Sequence, residues 1–263
     1  MIVIKYGGHA LPEPGSSDEI LKTIAREHLA GRKIVLVHGG GPQINAELAV
    51  HNLPALMVGG YRFTSPQVFE VVQKVLSGQV LRTLVNQLIG FGCNAIGISA
   101  GDGETIRAKK VAPILVEDEF KDIGLVGEVL TTDSTLLNLL LSSGFLPVVS
   151  PVAVDNAGQG LNLNADLATG AIGGALKADE VIFMTDVAGI YRHYPDPDSV
   201  ISKISATDLA ALQESFVAGM IPKSQAAISA LAAGAKKVRI IDGRDPSNLT
   251  AALNGDGGTV VFA

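Results

Sequence analysis

The chain has few of the residues that mark several large classes of protein. Its 263 residues include one cysteine, no tryptophan and only 5% aromatic residues. The single cysteine, Cys93, excludes an intramolecular disulfide framework, and its apolar neighbours indicate a buried thiol in a reducing compartment. Charged residues make up 17% of the chain and hydrophobic residues 47%. This balance excludes a disordered chain and predicts a core filled mainly by aliphatic side chains.

Several motifs with well-defined chemistry are also absent. The chain has no G-x-x-x-x-G-K-S/T phosphate loop and no cysteine and histidine cluster with metal-ligand spacing. The first strand lacks a following G-x-G-x-x-G, which argues against a dinucleotide-binding dehydrogenase. There is no uncharged run of 18 apolar residues and no leader pattern, so we expect a cytoplasmic protein without a membrane span. A net charge of −6 without a long basic run disfavours nucleic-acid binding.

Glycine, in contrast, is abundant, with 30 residues, and much of it follows short apolar runs. Residues 1–6 and 33–37 read as buried strands, and residues 17–30 between them read as a helix, which together predict a parallel β-α-β unit. The strand, glycine turn and helix pattern recurs, and such turns gather at the carboxyl edge of a parallel sheet, where ligands bind. We predict an α/β fold with one continuous sheet and two lobes that divide near Gly173-Gly174.

Further elements follow from the same patterns. We predict a hairpin over residues 55–64 with Gly59-Gly60 at its turn, a long helix over 65–89 bent near Ser77-Gly78, short strands over 104–111 and 127–130 around a polar loop, and an alanine-rich helix over 164–176.

Two glycine-rich turns follow the first two predicted strands. Lys5 precedes Gly7-Gly8, and the second strand leads into the segment His38-Gly39-Gly40-Gly41-Pro42. Three consecutive glycines at 39–41 cost backbone entropy, so a ligand close to the backbone explains them better than a tight turn alone. The motif at Lys5 is weaker, because a lysine at a strand end is also explained by solvation. N–H groups at the start of the following helix favour a carboxylate or phosphate. His38 fits a structural role at least as well as a catalytic one.

Four more segments carry polar groups at predicted element ends. Arg62 is either a surface charge or a clamp for a carboxylate. In the segment Asn162-Leu163-Asn164-Ala165-Asp166, helix capping explains Asn164 but does not explain the polar side chains of Asn162 and Asp166. Residues 184–191 form either a ligand loop or an ordinary turn. Lys223, which follows Gly219, falls in the first turn of a helix, where a cation is unfavourable unless an anion compensates it or water solvates it.

Together and in this order, these six segments resemble those of the amino-acid kinase family. The most specific pieces are residues 38–42, 162–166 and 219–223, and the resemblance covers nearly the whole chain. It implies a three-layer α/β/α sandwich around a mainly parallel sheet. Residues 1–173 would bind the acyl amino acid and supply a homodimer interface, and residues 174–263 would bind ATP. The implied reaction moves the ATP γ-phosphoryl group to the side-chain carboxylate of N-acetyl-L-glutamate, a step of arginine biosynthesis.

The resemblance also implies roles for single residues. Lys5 and Lys223 would stabilise the transition state, and Asp166 would hold both lysines. The expected substrate-binding residues are Gly40, Gly41, Arg62 and Asn162. The expected nucleotide-binding residues are Gly8, Asp186, Val187, Gly189, Tyr191, Ser215 and Gly219. No protein metal site is implied, and Mg²⁺ would come with ATP, held mainly by phosphate oxygens.

Some features depart from the family pattern. Phe63-Thr64-Ser65 follows Arg62 where Val-Thr-Asp is frequent, and the Gly-Gly pair that often precedes the methionine at position 220 is missing. Family members that arginine inhibits carry an additional amino-terminal helix, so we expect a dimer without arginine inhibition. Two other functions remain open. One is a kinase for aminoadipate or glutamate carried on a small acidic protein. The other is a non-catalytic amino-acid sensor, which the presence of both lysines and Asp166 disfavours.

Overall fold

The structure, a computed structural model, describes residues 1–7, 18–213, 216 and 220–263. The helices of this part are α1 Glu19–Leu29, α2 Gly41–Val50, α3 Pro66–Gln73, α4 Leu81–Gly90, α5 Thr135–Ser142, α6 Ala165–Ala175, α7 Ala206–Leu212, α8 Ile221–Ala232 and α9 Pro246–Leu253. Its strands are β1 Ile2–Tyr6, β2 Ile34–His38, β3 Met57–Val58, β4 Tyr61–Arg62, β5 Ala95–Ser99, β6 Ile106–Lys110, β7 Ile114–Val116, β8 Glu119–Lys121, β9 Val126–Thr132, β10 Leu146–Ser150, β11 Val152–Val154, β12 Gly160–Leu163, β13 Glu180–Thr185, β14 Ile190–Tyr191, β15 Val200–Ile201, β16 Lys203–Ser205, β17 Lys237–Asp242 and β18 Thr259–Phe262.

The largest sheet has eight strands in the order β16-β18-β17-β13-β1-β2-β10-β5. All neighbouring strands in it are parallel except β17 and β18. Parallel neighbours need crossover connections, and the helices that make them cover both faces of the sheet. The structure therefore confirms the predicted α/β/α sandwich around a mainly parallel sheet.

Successive residues of the central strands supply two separate cores. In β2, Ile34 and Leu36 pack with α1, α2, α3, α4 and α9 on one face, and Val35 and Val37 pack with α5, α6, α7 and α8 on the other. Side chains alternate between the two faces of a strand, so a strand covered on both faces is mainly apolar. The one charged residue of β1, Lys5, lies on the second face, beside α6.

The long helix predicted over residues 65–89 is present but irregular at its centre. α3 continues through a π-helical segment, Lys74–Val80, into α4. The predicted bend near Ser77-Gly78 falls inside this π-helical segment. The Ser77 hydroxyl lies 2.9 Å from the hydroxyl of Ser150 and 3.0 Å from that of Ser99, at the carboxyl ends of β10 and β5.

A second, smaller β-structure lies beside the main sheet. Strands β6, β9, β12 and β11 close on one another as a four-stranded barrel. The residues between β6 and β9, predicted as a polar loop, contain the antiparallel hairpin β7–β8. The hairpin prediction for residues 55–64 is confirmed, because β3 and β4 pair across Gly59-Gly60.

The glycines proposed as a lobe boundary lie inside a helix. A Cβ atom on Gly173 would approach the Val181 side chain to 2.4 Å, and one on Gly174 would approach the Ala233 Cβ to 2.3 Å. Both glycines therefore serve close packing, and the eight-stranded sheet draws strands from both sides of this point. The division into residues 1–173 and 174–263 stays a prediction. Within the described ranges, no helix is both long and apolar enough to cross a membrane.

Candidate active site

Three charged residues from distant parts of the chain meet at the carboxyl edge of the central sheet. The Lys5 Nζ lies 3.1 Å from Asp166 Oδ1, and the Lys223 Nζ lies 3.5 Å from Asp166 Oδ2. Strand β1 supplies Lys5, the first turn of α6 supplies Asp166, and the first turn of α8 supplies Lys223. Asp166 is the anion that offsets the unfavourable position of a lysine at a helix N-terminus.

Small residues allow α6 and α8 to approach closely enough for this contact. A Cβ atom on Gly170 would lie 2.6 Å from the Ala226 carbonyl oxygen. Gly170 follows Asp166 by about one helical turn, and Ala226 follows Lys223 by about one turn. Asn164 starts α6 as its N-cap, because its Oδ1 accepts the N–H groups of Asp166 and Leu167. The small residues at this helix contact thus allow Lys223 to come within ion-pair distance of Asp166.

The electrostatics of this cluster keep Asp166 ionised. Burial alone would raise the pKa of the Asp166 carboxyl, but the charges of Lys5 and then Lys223 outweigh burial and hold the pKa below its ordinary value. The residue Asp166 is 6% exposed, so few water molecules compete with these ion pairs. The cluster is a pair of cations held on one buried anion.

A pocket of about 250 Å³ opens beside Lys5 and Asp166. It is lined by Lys5, Gly39, Gly40, Gly41, Ile44, Met57, Gly60, Tyr61, Arg62, Leu76, Val126, Pro151, Asn162, Leu163, Asn164, Ala165 and Asp166. The pocket therefore brings together all four residues predicted to bind the substrate and two of the three predicted catalytic residues. Its wall combines apolar side chains with a few polar groups, as small-molecule sites generally do.

The glycines around the pocket differ in what a Cβ atom would contact at each position. A Cβ atom on Gly7 would lie 2.8 Å from the Gly39 nitrogen, and one on Gly40 would lie 2.7 Å from Leu76 Cδ2. A Cβ atom on Gly41 would meet no described atom within 4 Å. Backbone packing thus accounts for Gly7, whereas Gly40 meets only the end of a flexible leucine side chain and Gly41 faces open space. No side chain caps α2 at this end, so its first N–H groups are available to an anion.

Arg62 projects from the β3–β4 hairpin to the start of α2. Its Nη2 donates to the Asn45 Oδ1 at 2.6 Å and lies 3.4 Å from the Gly41 carbonyl oxygen. Its Nη1 is buried and has no hydrogen-bond partner among the described residues. Burial lowers the pKa of the guanidinium. Across the pocket, the Asn162 Nδ2 donates to the Thr64 hydroxyl at 3.3 Å.

His38 is a buried neutral side chain. Burial lowers its pKa to about 4, and its Nδ1 forms a 2.8 Å hydrogen bond with the Gly39 carbonyl oxygen. It does not line the pocket beside Lys5 and Asp166. Of the two interpretations considered for His38, the geometry favours the structural one.

The predicted nucleotide loop follows strand β13, which pairs directly with β1. Asp186, Val187, Gly189 and Tyr191 lie in or beside this loop, at the edge of the sheet that also carries Lys5. The other predicted nucleotide residues, Gly8, Ser215 and Gly219, lie outside the described residues.

Two threonine hydroxyls hold the backbone of this loop. The Thr185 hydroxyl accepts the Val187 N–H at 3.1 Å, and the Thr259 hydroxyl accepts the Ile190 N–H at 2.8 Å. A Cβ atom on Gly189 would lie 2.4 Å from the Thr259 hydroxyl oxygen, so packing requires glycine there.

Sequence reasoning missed the residues that hold the predicted ones in place. Asn45 stands three residues beyond the turn that ends in Pro42. Its position in the first turns of the predicted helix is the sequence signal that could have identified it as part of the site. Thr185 and Thr259 carry no comparable signal, because threonine is common in strands. In the part of the chain that the structure describes, no group of three or more His, Cys, Asp or Glu side chains could hold a metal ion.

The fold and the site together define an α/β/α protein that carries two lysines, paired with one buried aspartate, at the carboxyl edge of a mainly parallel sheet. A family model described as the amino acid kinase family matches residues 1–242, and the chain belongs to this family. Membership of a kinase family implies the use of ATP.

Individual relatives support the assignment of the chain to this family. An acetylglutamate kinase from Cutibacterium acnes is 42% identical over 249 residues, which cover 92% of this chain and 80% of that protein. An acetylglutamate kinase from Frankia casuarinae is 39% identical over 264 residues, covering 100% of this chain and 73% of that protein. Among solved structures, smu.665 from Streptococcus mutans matches with a TM-score of 0.79 and 28% identity, covering 100% of this chain and 98% of that one.

Proposed function

We propose that the chain is an ATP-dependent kinase that phosphorylates the side-chain carboxylate of N-acetyl-L-glutamate in arginine biosynthesis. The observation that carries the proposal is the Lys5–Asp166–Lys223 cluster beside a pocket that contains Arg62 and Asn162. The relatives named acetylglutamate kinase, which are about 40% identical over most of their length, support the same activity.

The reaction needs one bond to form and one to break. A carboxylate oxygen of the substrate attacks the γ-phosphorus of ATP, the bond from this phosphorus to the bridging oxygen breaks, and ADP leaves with the electron pair. The products are an acyl phosphate and ADP. The substrate carboxylate is already ionised at neutral pH, so the reaction requires no general base.

The two lysines stabilise the charge that spreads over the transferred group. Phosphoryl transfer depends mostly on positioning and charge stabilisation, and cations that are fixed in advance serve it best. Asp166 fixes Lys5 and Lys223 by ion pairs to separate carboxylate oxygens. Asp166 therefore acts as a positioning residue, and the two lysines contact the reacting phosphoryl group.

The pocket holds the remainder of the substrate. The first N–H groups of α2, at Gly40 and Gly41, bind oxygen atoms of the reacting carboxylate and phosphoryl group. Arg62 binds the α-carboxylate, and Asn162 binds the amide region of the acetylated nitrogen.

The nucleotide lies on the other side of the two lysines, against the loop after β13. Asp186, Val187, Gly189 and Tyr191 contact ATP, as do Gly8, Ser215 and Gly219. Mg²⁺ would come with ATP, held mainly by phosphate oxygens, and would supply neutralisation of the phosphate charge. Residues 1–173 form the substrate-binding lobe and the interface of a homodimer, and residues 174–263 form the nucleotide lobe. The enzyme works in the cytoplasm, where its single cysteine stays reduced.

The test is ATP-dependent formation of an acyl phosphate, trapped with hydroxylamine as the hydroxamate. N-acetyl-L-glutamate is compared with glutamate, N-acetylaspartate, N-acetylaminoadipate and no substrate. We expect strong selectivity for N-acetyl-L-glutamate. Equal turnover of all acceptors, or turnover of none, would refute the proposal.

A further inference from the structure

Asn45 forms a hydrogen bond with the guanidinium of Arg62. Its Oδ1 accepts the Arg62 Nη2 at 2.6 Å, the shortest polar contact that the structure gives this arginine. Asn45 itself does not line the pocket, and its residue surface is exposed at the start of α2. The asparagine therefore reaches the pocket only through the arginine.

This contact leaves the other end of the guanidinium with nothing to bind. The Arg62 Nη1 is buried and has no acceptor among the described residues, and burial of such a charged donor is unfavourable until an acceptor arrives. A guanidinium presents its donors in a planar fork, so anchoring Nη2 also sets the direction of Nη1. The geometry is that of a donor fixed in advance for an incoming anion.

The chemical type of the anchor also matters. An amide oxygen accepts the hydrogen bond without neutralising the positive charge of the arginine. A carboxylate at the same place would form an ion pair with Arg62 and would repel a second carboxylate. A neutral acceptor thus orients the guanidinium and leaves its charge for the ligand.

We propose that Asn45 is a positioning residue that orients Arg62 toward the α-carboxylate of the acyl amino acid and thereby sets selectivity for substrates that carry this group. The inference rests on the proposed function, because it takes the ligand of Arg62 to be that carboxylate. Asn45 makes no contact with the reacting atoms, so its effect falls on substrate binding and leaves phosphoryl transfer unchanged.

The test compares Asn45→Leu and Asn45→Asp with the unsubstituted protein, and Ala49→Leu, one turn further along the same exposed surface, serves as the matched control. For N-acetyl-L-glutamate we expect the KM of both Asn45 variants to rise about ten-fold or more, because Asn45→Leu removes a charge-assisted contact to Arg62 and Asn45→Asp neutralises the arginine and repels the substrate carboxylate. The values of kcat, the KM for ATP and the thermal unfolding midpoint should stay near those of the control.

A substrate without the α-carboxylate separates this role from a general structural one. With 4-acetamidobutyrate, which keeps the acetamido group and the reacting carboxylate, the Asn45 substitutions should leave KM, or the inhibition constant against N-acetyl-L-glutamate, unchanged. In an Arg62→Ala background, Asn45→Leu should add less than a two-fold effect, because the residue through which it acts is gone.

The outcomes distinguish the two proposals. If the unsubstituted protein forms no hydroxamate from N-acetyl-L-glutamate, the proposed function fails. If it does, and Asn45→Leu leaves the KM unchanged, the role of Asn45 alone is refuted. The role of Asn45 is also refuted if the KM values for N-acetyl-L-glutamate and 4-acetamidobutyrate rise equally. It is refuted as well if the effects of the Arg62 and Asn45 substitutions multiply.

Discussion

The carbonyl oxygen of Ala226 lies 2.6 Å from the point that a Cβ atom on Gly170 would occupy. α6 and α8 therefore touch through backbone at this point, and nothing larger than glycine fits between them. Each helix carries a proposed active-site residue one turn before this contact, Asp166 on α6 and Lys223 on α8. The distance between the two helices and the distance between the two charged groups are thus set together.

Gly170→Ala tests this coupling. The added methyl group must push α8 away, which lengthens the ion pair from Lys223 to Asp166, and overpacking of this kind costs about 1–3 kcal/mol. We expect kcat to fall at least several-fold and the unfolding midpoint to drop.

Gly90→Ala is the control for Gly170→Ala. This glycine ends α4 on the surface, and a Cβ atom there meets nothing within 4 Å. Alanine should leave kcat unchanged and stabilise the fold by up to about 1 kcal/mol. An unchanged kcat in Gly170→Ala would show that the close helix contact does not position Lys223.

Lys223→Ala tests the two-lysine arrangement directly. Removal of one cation from a site that stabilises developing charge commonly lowers kcat by about 10²–10³-fold. The chain should stay folded, because Asp166 keeps its ion pair with Lys5 at 3.1 Å. Steady-state kinetics with circular dichroism would check both statements. Lys236→Ala, which removes an exposed lysine paired with Asp179, is the control and should leave turnover intact.

The buried His38 should make stability depend on pH. Its pKa of about 4 in the fold lies below the ordinary 6.5, so the unfolded chain binds the proton more readily. The contribution of His38 to stability is therefore complete above pH 6.5 and is lost as the pH falls toward 4, by about 1.4 kcal/mol per pH unit.

Chemical denaturation between pH 4 and pH 7 would measure this effect. In His38→Gln the free energy of unfolding should fall less steeply over this window than in the unsubstituted protein. Parallel pH profiles for the His38 variant and the unsubstituted protein would contradict the assignment of a buried neutral histidine.

The sequence allowed the main sheet and the proposed site to be predicted because their signals are local. Residues 33–42 combine an apolar strand, three glycines and a proline at a helix start, and each feature has one simple structural meaning. The helix predicted over residues 17–30 is present as α1, and Asp18 starts it as the N-cap by accepting the N–H groups of Ile20 and Leu21.

The β7–β8 hairpin could not be predicted in the same way. Its turn places Glu117 and Asp118 at φ values of 52° and 62°, where asparagine and glycine are the usual residues. The small barrel was also missed, because strands as short as Val152–Val154 show no measurable alternation. The contact between Asn45 and Arg62 joins two elements that only the tertiary fold brings together.

Thr259 offers a test of the proposed nucleotide loop. Its buried hydroxyl accepts the Ile190 N–H at 2.8 Å and donates to the Ile201 carbonyl oxygen at 2.5 Å, and so it ties the end of the loop to β18. Thr259→Val keeps the shape of the side chain but leaves both backbone groups without this partner. A lost buried hydrogen bond costs about 1–3 kcal/mol.

If the loop that follows β13 binds ATP, Thr259→Val should raise the KM for ATP several-fold and leave the KM for N-acetyl-L-glutamate unchanged. Thr259→Ser keeps the hydroxyl and should restore most of the ATP affinity. Initial-rate kinetics with each substrate varied in turn, and calorimetric titration with ADP, would measure both effects. Equal increases in both KM values, or a serine variant as impaired as the valine variant, would mean that the hydroxyl does not act through the nucleotide loop.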